Sequence, residues 1–236
     1  MSSLAQKLAQ LQSYSACDVS DALLKLQTLQ PARAGYLADL TPHSPLGRST
    51  TLPKIIAPAT TFKFIPRHEE PPVLATSSPD THGFPAGTHW VDFAQPETVV
   101  VLEQPEGQTC AVLGGIMAAR MKYLGVRAVV VDGRVRDLAE LHATEIPVWA
   151  FGTSTVGTSA EAKPGVRNVS VSIRGVTVSP GDIIFCDPLE GVVAIPQDLL
   201  DPVLELMPKL VAMDDRVKEA VVNGMSVYEA FQKFRK

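Results

Sequence analysis

A mixed α/β fold with helices at both ends is what the sequence predicts, on three observations. Leu4, Leu8 and Leu11 recur at helical spacing near the start, and a charged periodic stretch closes the chain through Phe234. The central run TCAVLGGIMAARMKYLGVRAVVVDG reads as an apolar strand, a helix and a second apolar strand, the pattern of a parallel crossover. Short β-branched segments separated by turn residues, from IPVWAFG to GVVAIP, fill the second half.

Taken in order, Ser15-x-x-Asp18 ahead of VSDALLKL is a helix start of the capping-box kind with Asp in place of Glu, so two helices are expected over about 3–28. KIIAPATTFKF (54–64) and TVVVLEQ (98–104) read as strands. Between them IPRHEEPPVLATSSPDTHGFPAGTH carries five of the 19 prolines and little periodicity, the mark of a functional or interfacial loop. TCAVL is then a short strand, Gly114-Gly115 a turn, Ile116 to Leu124 a helix stopped by Gly125, and Arg127 to Val131 a strand ending at Asp132-Gly133. Beyond residue 138 short strands are expected. SIRGVTV forms two of them around Arg174-Gly175, and SPGD is a β-turn in which Asp182 bonds the backbone before the buried strand IIFC. From Gln197 the chain turns helical again, with Pro208 interrupting. Without a repeat or a linker the expectation is one domain, with a core over about 50–196 and terminal helices over 197–235.

Composition narrows the function. A net charge of −4 with scattered Lys and Arg lacks the basic stripe that nucleic acid requires, so no nucleic-acid partner is expected. No run approaches the ~20 apolar residues of a membrane span, and the N-terminus lacks the apolar segment of a signal peptide, which predicts a cytoplasmic protein without a membrane partner. Cys17, Cys110 and Cys186 form no C-x-x-C pair and read as small buried hydrophobes in a reducing compartment. Neither G-x-x-x-x-G-K-[ST] nor G-x-G-x-x-G occurs, which weighs against nucleotides.

The crossover itself makes a site. A helix of nine residues runs back roughly 13 Å at about 1.5 Å per residue, and the second strand returns a similar distance to the edge from which the helix left. Gly115 and the pair Arg136-Asp137, with twenty residues between Gly115 and Arg136, should therefore meet. That brings together helix N-terminal amides, a guanidinium fork suited to a carboxylate, and a hard oxygen ligand for Mg²⁺ or Mn²⁺. The predicted ligand is a small metal-chelating anion such as a 2-oxo acid. The plain alternative is an ordinary turn followed by a surface ion pair worth at most about 1 kcal/mol.

At these residues the sequence resembles the RraA-like family, which includes 4-hydroxy-4-methyl-2-oxoglutarate aldolases that also decarboxylate oxaloacetate. The resemblance runs through SACDVSDAL, GTHWVDF, LGGIMAARMKYLG, VVVDGRVRDL, TSTVGT and PGDIIFCDPLEGVVAIP. It implies a layered β/β/α fold, like the swivelling phosphohistidine domain, assembled as a homotrimer or homohexamer with the site at a subunit interface. It also implies that Gly114, Gly115, Ile116 and Met117 bind the pyruvyl portion of the substrate, that Arg136 binds its carboxylate or oxo group, and that Asp137 holds the divalent metal. The sequence departs from the family where Gly115 replaces the usual Asp, which removes a proton-handling carboxylate and tilts the expectation toward decarboxylation. Asp214, Asp215 and Glu219 of a neighbouring subunit are candidates to supply an acid, against the plainer reading of a solvated helix face.

Two rival readings stand beside this one. A Schiff-base aldolase would need a desolvated lysine beside the substrate, and Lys122 lies toward the far end of the central helix. The same family contains regulators that dock onto a ribonuclease assembly, which keeps a non-catalytic binding role open. His89 and Asp92 in GTHWVDF are expected in a hydrogen-bonding or interface role, since no second His or Cys completes a zinc set. His43, His68, His82 and His142 carry no functional expectation.

Overall fold

The computed structural model describes residues 3–27, 33–44, 52–72 and 82–235. Residue 28 of the expected N-terminal helices and residues 73–81 of the proline-rich loop fall outside these. Helices α1 (Leu4–Leu11) and α2 (Ala16–Leu26) each begin at a capping box, Ser3 with Gln6 and Ser15 with Asp18. In the second, Ser15 Oγ accepts from the Asp18 amide at 3.2 Å and Asp18 accepts from the Ser15 amide at 2.8 Å, so two otherwise orphaned donors are satisfied.

The strands are β1 (Thr41–Ser44), β2 (Ile55–Pro66), β3 (Val99–Glu103), β4 (Ala111–Leu113), β5 (Ala128–Val135), β6 (Val148–Thr153), β7 (Ala162–Arg167), β8 (Val171–Ile173), β9 (Val176–Val178), β10 (Ile183–Asp187) and β11 (Gly191–Ile195). Nine of them form one sheet in the order β1-β6-β5-β3-β2-β10-β11, with β4 also beside β5 and β7 also beside β2. Helix α3 (Gly115–Tyr123) joins β4 to β5, and α4 (Leu138–Thr144) joins β5 to β6. Helices α5 (Leu200–Val222) and α6 (Val227–Phe234) end the chain.

Alternation along the strands builds the layers. Val100 and Leu102 of β3 with Val129 and Val131 of β5 pack toward Ala118 and Met121 of α3 and Leu141 of α4. Val99, Val101, Ala128 and Val130 pack the opposite way, against the β8–β9 hairpin and the near face of β10–β11. The far face of that ribbon, Ile183, Phe185, Val193 and Ile195, is covered by Leu11, Leu23, Val203 and Met207 of α1, α2 and α5. Both faces of β3 and β5 are thus buried, which explains their unbroken valine runs. This is the layered α/β architecture that the sequence predicts. The twelve-residue β2 serves both sheet layers: residues 55–58 pair with β10, and residues 59–63 pair with β3.

Several boundaries differ from expectation, each for a physical reason. Strand β5 does not stop at Asp132-Gly133 but runs to Val135, with its register to β6 shifted between Val131 and Arg134. Gly133 is there because a Cβ would collide with the Gln104 side chain, whose Oε1 accepts from the Arg134 amide at 2.9 Å. The region past 138 opens with helix α4, not with a strand. Helix α3 starts one residue earlier than expected, at Gly115. Pro208 lies inside α5 without breaking it, because the buried face Leu200, Val203 and Met207 holds the helix through the loss of one backbone bond. The C-terminal break falls instead at Asn223-Gly224, before the Ser226–Glu229 capping box. Cys17 is exposed, with Sγ 3.8 Å from Glu190, while Cys110 and Cys186 are buried as expected. Burial pushes the Cys186 thiol far above its ordinary range. Arg174 and Gly175 both have positive φ, 49° and 79°, as a tight hairpin turn requires. Asp182 accepts from the amides of Ser179 at 2.7 Å and Gln197 at 3.1 Å, the backbone role expected of it.

Candidate functional site

Strands β3 and β4 lie end to end along β5. Val99–Glu103 pair with residues 128–132, and Ala111 and Leu113 pair with Arg134 and Val135. The segment from 104 to 110 loops out between them, and β5 extends past β3 to carry Arg136 and Asp137 to the carboxyl end of β4. There the Arg136 amide donates to Leu113 O at 3.0 Å, and the Gly115 amide donates to Asp137 Oδ2 at 3.3 Å. The crossover therefore brings the diglycine bend and the Arg-Asp pair together, as its topology predicts.

Asp137 precedes α4 with φ 58° and ψ 47°, a left-handed conformation that Asp tolerates better than most residues. Its carboxylate makes no cap to its own helix. It turns back instead to Gly115 and to the Arg136 guanidinium, 3.5 Å away. A Cβ on Gly114 would lie 2.7 Å from Asp137 Oδ2, so bare backbone is what admits this carboxylate. The guanidinium lies over Gly157 of TSTVGT, where a Cβ would sit 3.0 Å from Nη1. That loop is stitched to β4 by the Ala111 amide donating to Val156 O at 2.8 Å and by Thr158 Oγ1 donating to Ala111 O at 2.7 Å.

A residue the sequence reading missed stands against the same bend, although it borders neither of the cavities described below. Glu140, on the first turn of α4, places its carboxylate in the volume that a Cβ at Gly115 would take. The signal was present in RDLAE, where Asp137 and Glu140 are three residues apart and so share a helix face.

Two cavities flank the Arg136–Asp137 pair. One, of about 320 Å³, is bounded by Gly114, Ile116, Met117, His89 and Lys163. The other, of about 590 Å³, is bounded by Arg134 and the 153–156 loop. Among the described residues no group of three His, Cys, Asp or Glu side chains is arranged as a metal cage. The donor set at the glycine bend nevertheless fits a hydrated hard cation. The Asp137 carboxylate lies against backbone stripped of side chains, which leaves coordination positions for water and ligand, as Mg²⁺ and Mn²⁺ prefer.

The other expected residues fall as follows. Lys122 is exposed on the last turn of α3 and borders neither cavity. Asp214 is paired with Arg235 across α5 and α6 at 2.5 Å, Asp215 lies 3.9 Å from Lys218, and neither these nor Glu219 borders either cavity within the chain. His89 caps the short 3-10 helix Trp90–Phe93, accepting from the Val91 amide at 3.4 Å, and Asp92 pairs with Arg120 at 2.7 Å. Both make the hydrogen-bonding contacts expected of them. Glu161 accepts from the amides of Thr109 at 2.7 Å and Cys110 at 2.6 Å, and these bonds hold its carboxyl below the usual carboxylate range. It thereby anchors the entry to β4.

No helix among the described residues is long and apolar enough to cross a membrane. Residues 16–194 match the model of the RraA-like family, described as Aldolase/RraA. A Halalkalibacterium halodurans protein named "Putative 4-hydroxy-4-methyl-2-oxoglutarate aldolase" is 32% identical over 138 residues, 58% of this chain and 65% of that protein. DlpA of Legionella pneumophila is 26% identical over 227 residues, 96% of this chain but 33% of DlpA, so the chain spans only part of the length of these relatives. Among solved structures, an uncharacterized protein of Pseudomonas syringae superposes with a TM-score of 0.72 at 21% identity, covering 98% of both chains. Streptomyces coelicolor RraAS2, titled an unusual member of the RNase ES inhibitor RraA protein family, gives 0.68 at 23% identity, covering 95% of this chain and 99% of its own. These likenesses show the same fold. With the family model matching most of its length, the chain belongs to the RraA-like family.

Proposed function

We propose that the chain is a carbon–carbon lyase that acts on small 2-oxo acids and releases pyruvate through its enolate. The observation that carries this reading is the convergence of Arg136, Asp137 and Glu140 on the bare backbone of Gly114–Gly115. Asp137 would hold Mg²⁺ or Mn²⁺, whose Lewis acidity would polarise the 2-oxo oxygen. The backbone of Gly114 to Met117 would seat the pyruvyl portion, and Arg136 would bind its carboxylate or oxo oxygen.

When the C3–C4 bond breaks, its electron pair moves into C2–C3 and negative charge collects on the C2 oxygen. Arg136 stabilises that charge, a contribution that grows in the transition state and so accelerates the reaction. From oxaloacetate the other fragment is CO₂. From 4-hydroxy-4-methyl-2-oxoglutarate it is a second pyruvate, and the 4-hydroxyl must lose its proton. Gly115 cannot take that proton, but Glu140 fills the same place and would receive it through a water. A proton returned to C3 completes pyruvate. Retro-aldol cleavage is therefore restored to equal standing with decarboxylation. The reading includes a cytoplasmic homotrimer or homohexamer with the site near a subunit boundary.

Pyruvate release from both acids, with Mg²⁺ and with EDTA, is the test. Saturable, EDTA-sensitive release is expected. Rates equal to the uncatalysed background would overturn the lyase and favour a regulatory binding protein of the same family.

A further inference from the structure

A third cavity, of about 610 Å³, shares Arg134 and Thr109 with the one that Arg136 and Asp137 border, but contains neither of the latter. Three arginines, Arg33, Arg134 and Arg174, line it together with the exposed ring of Phe151. Arg174 lies over that ring with Cζ 4.5 Å from its centroid, and Arg134 Cζ stands 5.9 Å from it. Bare backbone seats two of the guanidinia: a Cβ on Gly152 would lie 2.9 Å from Arg134 Nη1, and one on Gly175 would lie 3.1 Å from Arg33 Cζ. The carboxylates of the same wall are largely engaged. Glu103 pairs with Lys63 and accepts from the Ser172 amide, each at 2.8 Å, and Asp132 accepts from the Arg174 amide at 2.8 Å. Glu106 is exposed, where solvent and salt screen its charge. A second observation points to the same place. Gln108 Oε1 and Arg174 Nε are the buried side-chain polar atoms without a hydrogen bond among the described residues, and both residues line this cavity. Buried polar atoms are normally paired, so two orphans on one wall mark a place that receives a polar partner.

We infer that this cavity is a second ligand site, taking a carboxylate with a flat aromatic body, its charge held by the guanidinia of Arg33 and Arg134 and its ring laid against Phe151. The site is separate from the glycine bend, and it stands whether or not the chain is a lyase. A guanidinium fork matches the edge of a carboxylate with two parallel hydrogen bonds, which accounts for the charge of the ligand. A small hydrated anion would leave the Phe151 ring bare. An aromatic body covers that ring in offset or edge-on contact, which contributes more than the buried area alone. Cavities of about 300–1,000 Å³ take small molecules, so a benzoate-sized acid leaves room here for polar substituents that pair with Gln108 and Arg174.

Titration of the full chain with benzoate, followed by nuclear magnetic resonance, tests this, with acetate, inorganic phosphate and cyclohexanecarboxylate as comparison probes. Benzoate is expected to bind at least about tenfold more tightly than acetate or phosphate, and about threefold more tightly than the puckered ring. Arg33 and Phe151 border this cavity and neither of the other two, so they locate the binding. Arg33→Met and Phe151→Ser should each weaken benzoate by about tenfold. Both side chains are exposed, so the fold should tolerate the changes, and Phe151→Tyr should keep the affinity. Arg136→Met, in the other cavities, should leave it unchanged. Absence of benzoate binding, equal binding of any comparison probe, or binding lost in Arg136→Met but kept in Arg33→Met and Phe151→Ser would overturn the inference.

Discussion

The carboxylate of Glu140 occupies the volume directly above the α-carbon of Gly115, so that a side chain at one position excludes the side chain at the other. On the proposed reading, the acid that the resemblance leads one to expect at the start of the central helix is delivered from the neighbouring helix. Two single changes and their combination test the exchange. Glu140→Gln should lower retro-aldol turnover by about 10²-fold and decarboxylation by much less, since only the former needs the base. Gly115→Asp alone should also lose activity through collision with Glu140. Gly115→Asp with Glu140→Ala should recover a substantial part of it. Steady-state kinetics on both substrates reads the result.

Arg136 is expected to act on charge that develops during bond cleavage. Arg136→Ala should reduce kcat/KM by about 10²-fold or more, with kcat falling as well as KM rising. Gly157→Val should mimic part of this loss because its side chain would meet the guanidinium. Pyruvate release with a coupled dehydrogenase measures both.

The left-handed backbone of Asp137 separates stability from function. Asp137→Gly should melt above Asp137→Ala, by the equivalent of about 1 kcal/mol, because Gly adopts that conformation without a Cβ conflict. Both should be equally inactive. Asp137→Asn should keep the fold and raise the Mg²⁺ concentration needed for half-maximal activity, read from a metal titration after EDTA treatment.

Glu161 makes a pH signature. Hydrogen bonds from the amides of Cys110 and Thr109 depress its carboxyl in the folded chain, so the folded state binds its proton less readily than the unfolded state. Stability from this group is present above the ordinary Glu range, about pH 4–5, and is lost as pH falls through the depressed folded value. Glu161→Gln should therefore lower the Tm at pH 7, with the difference from wild type shrinking as pH falls below about 4. Thermal scans across that range give the answer.

Much of this was legible in the residues. The crossover alone required that Gly115 and Arg136-Asp137 meet, because strand and helix rises fix where the chain returns. Glu140 escaped because short strands were expected past 138 and the seven-residue α4 was not; Asp137-x-x-Glu140 is itself a helix-start pattern, but the Asp137 carboxylate turns to the Gly115 amide and does not cap the helix. Gly133 was misleading in the same way. Asp-Gly is a turn signal, yet here it lies within the strand, where the register to β6 shifts, and it leaves room for Gln104, a contact from a distant segment. Pro208 shows the converse, a local helix breaker outweighed by burial of the face around it.

The sharing of β2 between two layers has a mechanical result. Its first third is hydrogen-bonded into the ribbon under the terminal helices, and the remainder runs beside the strand that leads toward the glycine bend. Neither layer can be peeled away without fraying the same backbone, so amides of Ala57 through Phe62 should be among the last to exchange with deuterated solvent. Loosening the terminal helices would then be felt at the candidate site as a slackening of its foundation, transmitted along one continuous beam.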